Sequence, residues 1–508
     1  SLQTSVASKA AASDVTANTT NIATNTSDIA SLQTSVASKA AASDVTTNTA
    51  NISSLQTNKL SKPTSLSGDD DGKVLTYQHP DWIAQTPNAT GSTTTEQDSY
   101  KYHQLLTNKW YTLSFIDANG HIYTIGEESP AQPTLIDNSN IYESISSFDP
   151  HESDTSKIAY FALDSNKKLY SWGSSGIHGL LGRGSTEDTI AAPDLIPSLV
   201  NDTFKHVQSM TSCAFALKED GTAISWGRNS YGQCGSGIKN QEARSTPGGI
   251  SPLSLSDNDT AIIPIGNLKF RQIQTPWDAA TIALDTSGKG WYCGQRMHHS
   301  APGDNFNEGS MNAYFAPMSW DDADGNDMSE IEGKILQGGY GFSVLLTTKG
   351  TIYTVGNGND SKLCQEGNTS HYYKWKKITS NGKFVATDST EYDIDVSNVK
   401  FENISIGQNH CLALDSHGRV WTWGRNLSGC LGTGDTTNRG HPVLIAVDNN
   451  GQTMENIEFK HVHSGTRTSY AVTSTGSIFA WGKFDYGSGL EERSRPTQLN
   501  LGNVICKV

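Results

Sequence analysis

From about residue 100 onward, this 508-residue chain repeats one unit seven times: an apolar strand, a Gly-centred turn, a second strand, then Trp-Gly or a relative of it. The clearest copies are Cys213-Ala-Phe-Ala-Leu-Lys-Glu-Asp-Gly-Thr-Ala-Ile-Ser-Trp226-Gly227, Cys411-Leu-Ala-Leu-Asp-Ser-His-Gly-Arg-Val-Trp-Thr-Trp423-Gly424 and Tyr470-Ala-Val-Thr-Ser-Thr-Gly-Ser-Ile-Phe-Ala-Trp481-Gly482. Weaker copies end at Gly126, Gly173, Gly294 and Gly356. Apolar residues alternate around each turn, which marks a hairpin, and evenly repeated hairpins imply blades around an axis. The repeat predicts a mostly β ring.

Several copies run on into a Gly-rich tail: Gly179-Leu180-Leu181-Gly182-Arg183-Gly184, Gly232-Gln233-Cys234-Gly235-Ser236-Gly237 and Gly429-Cys430-Leu431-Gly432-Thr433-Gly434. The combined pattern, Ala-Leu-x-x-x-Gly-x-x-x-x-Trp-Gly-x-Asn followed by Gly-x-Leu-Gly-x-Gly, resembles the repeat of the regulator of chromosome condensation family. That resemblance implies a seven-bladed β-propeller over residues 99–508. The first copy lacks the tail and the fourth ends in Trp291-Tyr292-Cys293-Gly294, departures that blur local boundaries only. After Trp481-Gly482 the chain continues through Pro496 to Val504-Ile505-Cys506-Lys507-Val508, and this segment is expected to pair into the first blade, removing two open edges.

Residues 1–30 recur almost unchanged as residues 31–60. Val15, Ile22, Ile29 and Val36 are spaced seven apart, as are Val45 and Ile52, the spacing of a coiled-coil seam that is buried only against other copies of itself. Val6 to Val15 and Val36 to Val45 are nine apart, so the coil is interrupted there, with Ser13-Asp14 and Ser43-Asp44 as N-caps of a restarted helix. Asn18, Asn25 and Asn48 fall at core positions of the seam. This layer pattern resembles trimeric bacterial adhesin and phage fibre stalks, which implies a trimer holding an anion such as chloride on its axis. A polar, Thr-rich disordered leader is the bland alternative. Residues 62–98 read as a small β collar with a linker: Lys62-Pro63 ends the helix, and the run from Gly72-Lys73-Val74-Leu75 to Trp82-Ile83-Ala84-Gln85-Thr86-Pro87 looks like collar modules of phage tail proteins.

A net charge of −15 argues against a phosphate-neutralising surface, and no apolar run is long enough to cross a bilayer. Nucleic-acid binding and membrane insertion are therefore not expected, and no cofactor or metal is. The seven cysteines lack paired spacing, and Cys213 with Cys411, and Cys234 with Cys430, read as repeat-related packing residues. His410, in Gly407-Gln-Asn-His410, is similar to the recurring histidine of the resembled family, which implies a hydrogen-bonded structural role rather than a base. His298-His299, His461-x-His463 and Asp322-Ala-Asp324-Gly-Asn326-Asp327 with Glu330 are weak metal candidates. Long insertions at about 238–268, 295–330 and 365–400 carry Tyr314, Phe315, Trp320, Tyr372, Tyr373 and Trp375. Those rings either contact a receptor or anchor the insertions to the propeller wall.

In nuclear members of the resembled family the propeller acts on a small GTPase and on nucleosomes, but acidity and the stalk argue against carrying that over. The expected architecture is a trimeric coiled-coil stalk (1–61), a collar and linker (62–98) and a propeller head (99–508). The expected function is a non-enzymatic bacteriophage fibre or spike, extracellular on the virion. It would be a homotrimer bound to tail or baseplate proteins at its N-terminal end and attaching to a glycan or protein receptor on the host surface. A bacterial trimeric adhesin, a structural virion decoration and a glycan-degrading fibre enzyme stand as alternatives.

Overall fold

The chain divides into two units, Ser1–Thr90 and Gly91–Val508, and the computed structural model describes residues of the second, in segments from Leu106 to Cys506. The stalk and collar expected over 1–98, with Asn18, Asn25 and Asn48, lie outside the described residues. Among the described residues there is no α-helix, and no helix is long and apolar enough to cross a membrane.

Seven sheets, each built on four antiparallel strands, form the seven blades of a propeller. Blade six shows the plan: Phe401–Ile406, His410–Asp415, Val420–Gly424 and Arg439–Leu444, paired in sequence order. The first strands of successive blades touch one another and so line the axis. Each turn from second to third strand is wound the same way. In blade six the Asp415 amide donates to Arg419 O at 3.1 Å and the Gly418 amide to Asp415 O at 2.9 Å. Gly418 sits at φ 72°, a left-handed conformation that favours glycine. The Asp415 carboxylate then accepts the His417 and Arg419 amides at 2.9 and 3.0 Å, and Asp117, Asp164 and Asp285 fill the same role in their blades. The Asp-x-x-Gly spacing in the repeat is thus the chemistry of one turn.

Apolar burial is placed between blades rather than on the axis. Seven clusters each draw on two neighbouring blades; one joins Phe342, Val344 and Leu363 of blade five to Phe401, Trp421 and Trp423 of blade six. No blade could bury its faces alone, which is why the repeat closes into a ring. Hydrogen bonds reinforce each joint. The Trp-Gly indole of one blade donates to the tail carbonyl of the blade before it: Trp226 to Leu180 O at 2.7 Å, Trp423 to Lys362 O at 3.2 Å and Trp481 to Cys430 O at 2.8 Å. The tail glycines make room for these rings, since a Cβ on Gly432 would meet Trp481 Nε1 at 2.9 Å.

As expected, the C-terminal segment pairs into the first blade, and a second segment shares that inner edge with it. Leu106–Lys109 pairs antiparallel with Thr112–Ile116 as the inner strand of blade one, Leu106 opposite Phe115. The C-terminal segment adds one bridge, Cys506 opposite Asp117. In blade six the first inner residue, Phe401, likewise pairs with the turn residue Asp415. The inner edge of blade one is therefore composite, entered by Cys506 and continued by Leu106–Lys109.

Two insertions fold onto the outside of the following blade. Leu253–Leu255 and Ile262–Pro264 extend blade four, and Asn381–Val385 and Glu391–Asp395 extend blade six, so that both sheets have six strands. Each joins its outer strand in parallel, at Ser254 opposite Phe315 and at Lys383 opposite Val443.

Candidate functional site

The face that carries the turns between first and second strands holds a cavity of about 390 Å³ between blades five, six and seven. Three equivalent turns contribute Tyr340, Gln408 with Asn409, and Thr466 with Arg467. The segments after the third strands of blades five and six add Asn357, Asp360 and Lys362, and Arg425. The repeat itself holds these pieces in place. The Asn357 amide donates to Gly341 O at 2.8 Å, and the Arg425 amide to Asn409 O at 2.9 Å. Across the blade joint, the Tyr340 amide donates to Gln408 O at 2.8 Å.

Lys362 is the least expected member. Its residue is 2 % exposed, yet its ammonium donates to Tyr340 O at 3.0 Å and Asn409 Oδ1 at 3.4 Å, and lies 5.4 Å from the Phe342 ring centroid. Burial pushes the Cys411 thiol well above its usual range, and the Lys362 charge acts against that shift. Burial likewise pushes the Cys430 thiol up to about 12, opposed in part by the Arg425 and Arg467 guanidiniums. Lys362, Arg425 and Arg467 all line the cavity. Arg425 stands 4.0 Å from Asp360, a long ion pair.

His410 borders the cavity but serves the joint. It is 1 % exposed, its Nε2 is 2.9 Å from Ser469 Oγ, and that hydroxyl donates to Cys430 O at 2.8 Å. Burial holds the imidazole down at about 4, so it is neutral at pH 7. In blade three Cys213 occupies the corresponding place, with Thr281 Oγ1 at 3.9 Å and Thr281 donating to Gln233 O at 2.8 Å. Register corrects the expected cysteine equivalence: Cys213 pairs with Gly227, whereas Cys411 pairs with Trp423, one residue further along. Cys234 corresponds to Leu431 rather than Cys430, since their amides bond to Asn229 Oδ1 and Asn426 Oδ1. All seven cysteines are buried and none is in a disulfide.

Of the aromatic residues singled out in the sequence, Tyr314, Phe315, Tyr372 and Trp375 do not line this cavity. Tyr314 and Phe315 lie on Met311–Pro317, the outer of the four repeat strands in blade four, and Phe315 is buried against Phe270, ring centroids 4.9 Å apart. Tyr372, Tyr373 and Trp375 lie on Tyr372–Lys377, the outer strand of blade five. Trp375 is fully buried, and Tyr372 is half-buried with Lys376 Nζ 5.5 Å from its ring centroid. Trp320, the His298-His299 pair and the Asp322–Glu330 run, except for buried Met328, lie outside the described residues. Among the described residues no group of His, Cys, Asp and Glu is placed to hold a metal ion. Sequence reading missed Lys362, Arg425 and Arg467; its available signal was the fifth tail, where the repeat's glycines are absent.

Two profiles of the regulator of chromosome condensation (RCC1) repeat match residues 417–472 and 401–430. The ultraviolet-B receptor UVR8 of Arabidopsis thaliana is 24 % identical over 354 residues, 68 % of this chain and 65 % of that protein. Human E3 ubiquitin-protein ligase HERC2 is 26 % identical over 322 residues, 62 % of this chain and 6 % of HERC2. The bovine secretion-regulating guanine nucleotide exchange factor is 22 % identical over 342 residues, 67 % of this chain and 63 % of it. The chain thus spans less than two thirds of each of these relatives. Among solved structures, human WBSCR16 superposes with a TM-score of 0.55 at 16 % identity, covering 73 % of this chain and 84 % of that one. Yeast RCC1 (Prp20), solved bound to Kap60, gives 0.53 at 15 %, covering 82 % and 90 %.

These findings overturn the functional expectation. The relatives are eukaryotic RCC1-like proteins, not phage fibres, adhesins or glycan-degrading fibre enzymes. With the fibre reading fall its homotrimer, its virion tail and host-receptor partners, and its virion or extracellular location. What sequence and structure agree on is that the chain carries regulator of chromosome condensation (RCC1) repeats folded into a seven-bladed β-propeller.

Proposed function

We propose that the propeller is a regulatory protein-binding module that docks an acidic surface of a protein partner on the face carrying the Lys362–Arg425–Arg467 cavity. The observation behind this is the concentration of three cations in one rigid cavity of a chain whose net charge is −15. A local positive patch on an acidic molecule selects and orients an acidic partner while repelling polyanions elsewhere. The names of two relatives, a receptor and a guanine nucleotide exchange factor, support a regulatory class.

A photo-crosslinking residue placed at Asn359, compared with one at Lys349 in a turn on the opposite face, tests the reading. One protein species should be captured from Asn359 only, and Arg425→Glu with Arg467→Glu should abolish the adduct. Capture from both positions, or insensitivity to the charge reversals, refutes this face as the docking site. Nucleotide release measured on a captured small GTPase then separates exchange activity from scaffolding.

A further inference from the structure

We infer that the cavity is a phosphate subsite for a phosphorylated side chain of the docked protein, an inference that rests on the docking reading above and specifies its ligand. The first argument is where the fifth repeat departs from its siblings. The position of Lys362 is filled by Leu180, Gln233 and Cys430 in the other tails; in all four its carbonyl accepts the bond from the next blade. Only the side chain has changed, from an uncharged one to one that carries charge.

Backbone conformation marks the same segment. Ser361, Cys364 and Glu366 adopt φ of 64°, 55° and 44° where blade six has Gly429, Gly432 and Gly434. Residues other than glycine in this region are strained, and such strain gathers at functional sites. The fifth tail has kept the repeat's path and abandoned the residues that make the path easy.

Charge then selects the ligand. Lys362, Arg425 and Arg467 face one carboxylate, Asp360, among the lining residues, and buried His410 is neutral at pH 7. A lining with three cationic residues suits a phosphoryl dianion, which carries about −1.5 to −2 at pH 7, better than a single carboxylate. Guanidinium groups match phosphate oxygens in bidentate geometry, and amide side chains such as Asn357 and Asn359 add donors at the rim. A cavity of about 390 Å³ has room for one such side chain, and the net charge of −15 disfavours a polyanion.

Calorimetric titration of the full chain with phenyl phosphate tests the subsite. Saturable binding with one site per chain is expected, at least tenfold weaker in the Arg425→Glu, Arg467→Glu variant and unaffected by chloride at matched ionic strength. Lys362→Met should do the same; because that residue is buried, the rim variant carries the test if Lys362→Met fails to fold. Absence of saturable binding, unchanged binding in the rim variant, or tighter binding of duplex DNA through the same arginines would overturn the inference. Phosphatase treatment of the partner captured from Asn359 distinguishes the two readings. An undiminished adduct sinks the phosphate subsite and leaves docking intact; phenyl phosphate binding without any adduct sinks docking and leaves the subsite.

Discussion

The backbone amide of Cys506 donates to the carbonyl of Gly476 at 3.0 Å, repeating at the chain's end the bond that Phe459 makes to Gly418 at 2.9 Å and Phe401 to Gly350 at 3.0 Å. Tyr142, Phe204, Phe270 and Gly333 complete the series, donating to Gly120, Lys167, Gly221 and Gly288. Every blade is entered by one amide that caps the turn of the blade before it. The seventh such bond closes the ring, although blade one is then continued by residues from the other end of the propeller.

Deleting residues 502–508 should release blade one first. Its cost is about 2–4 kcal/mol, from one buried side chain and the lost backbone bonds. Hydrogen exchange should speed up selectively at Leu113 and Phe115, which share a core with Cys506. Uniform change across all blades would contradict the composite edge.

Trp481→Phe keeps most of the buried ring area but removes one of the two donors to the Cys430 carbonyl at the joint of blades six and seven, leaving Ser469 Oγ as the other. The expected loss is about 1–2 kcal/mol in denaturant unfolding. Gly432→Ala at the same joint should cost more, because a Cβ there meets Trp481 Nε1 at 2.9 Å and φ is 72°.

Asp415→Ala removes five acceptor contacts at once: the His417 and Arg419 amides, Arg419 Nε and Nη2 each at 2.7 Å, and Trp421 Nε1 at 2.9 Å. With the carboxylate 0 % exposed, about 3–5 kcal/mol should be lost on breaking it. Asp415→Asn should recover part of this by keeping the turn acceptor.

His410 makes stability pH-dependent. Burial chiefly, opposed by the hydrogen bond with Thr468, holds its pKa at about 4 against 6.5 ordinarily. Between those values the unfolded chain binds a proton that the folded one refuses, so its contribution is complete above pH 6.5 and is lost as pH falls toward 4. The full difference is about 3 kcal/mol. Burial holds His463 at about 4 as well, so His410→Gln should reduce the slope over that window without abolishing it, and an unchanged slope would assign it to other groups.

Burial pushes the thiols of Cys234, Cys293, Cys364 and Cys411 well above their usual range. Thiol reagents at pH 8 should therefore react only as the protein unfolds, in step with its denaturation curve. Fast labelling of the native chain would show that a blade joint opens.

Much of the fold was legible because it is local and repeated. An Asp, a glycine three residues on and a Trp-Gly pair specify a turn, a hairpin and the donor for a neighbouring carbonyl, whatever surrounds them. Seven copies of the hairpin, most carrying part of this set, leave a ring as the way to bury every face. Register was less legible: aligning Cys213 with Cys411 by eye is wrong by one residue, since pairing partners, not residue likeness, define the position. Aromatic character likewise did not reveal exposure, and Phe315 and Trp375 turned out to fill joints.

By itself, the sequence determined the unit, its number of copies and the turn chemistry, since these depend on neighbours along the chain. Tertiary structure alone decided that Lys362, Arg425 and Arg467, from blades five, six and seven, share one cavity. It also decided that Cys506 and Leu106, nearly the whole propeller apart in sequence, build one edge. Both depend on which blades stand side by side once the ring closes, and that adjacency is a property of the ring rather than of any repeat.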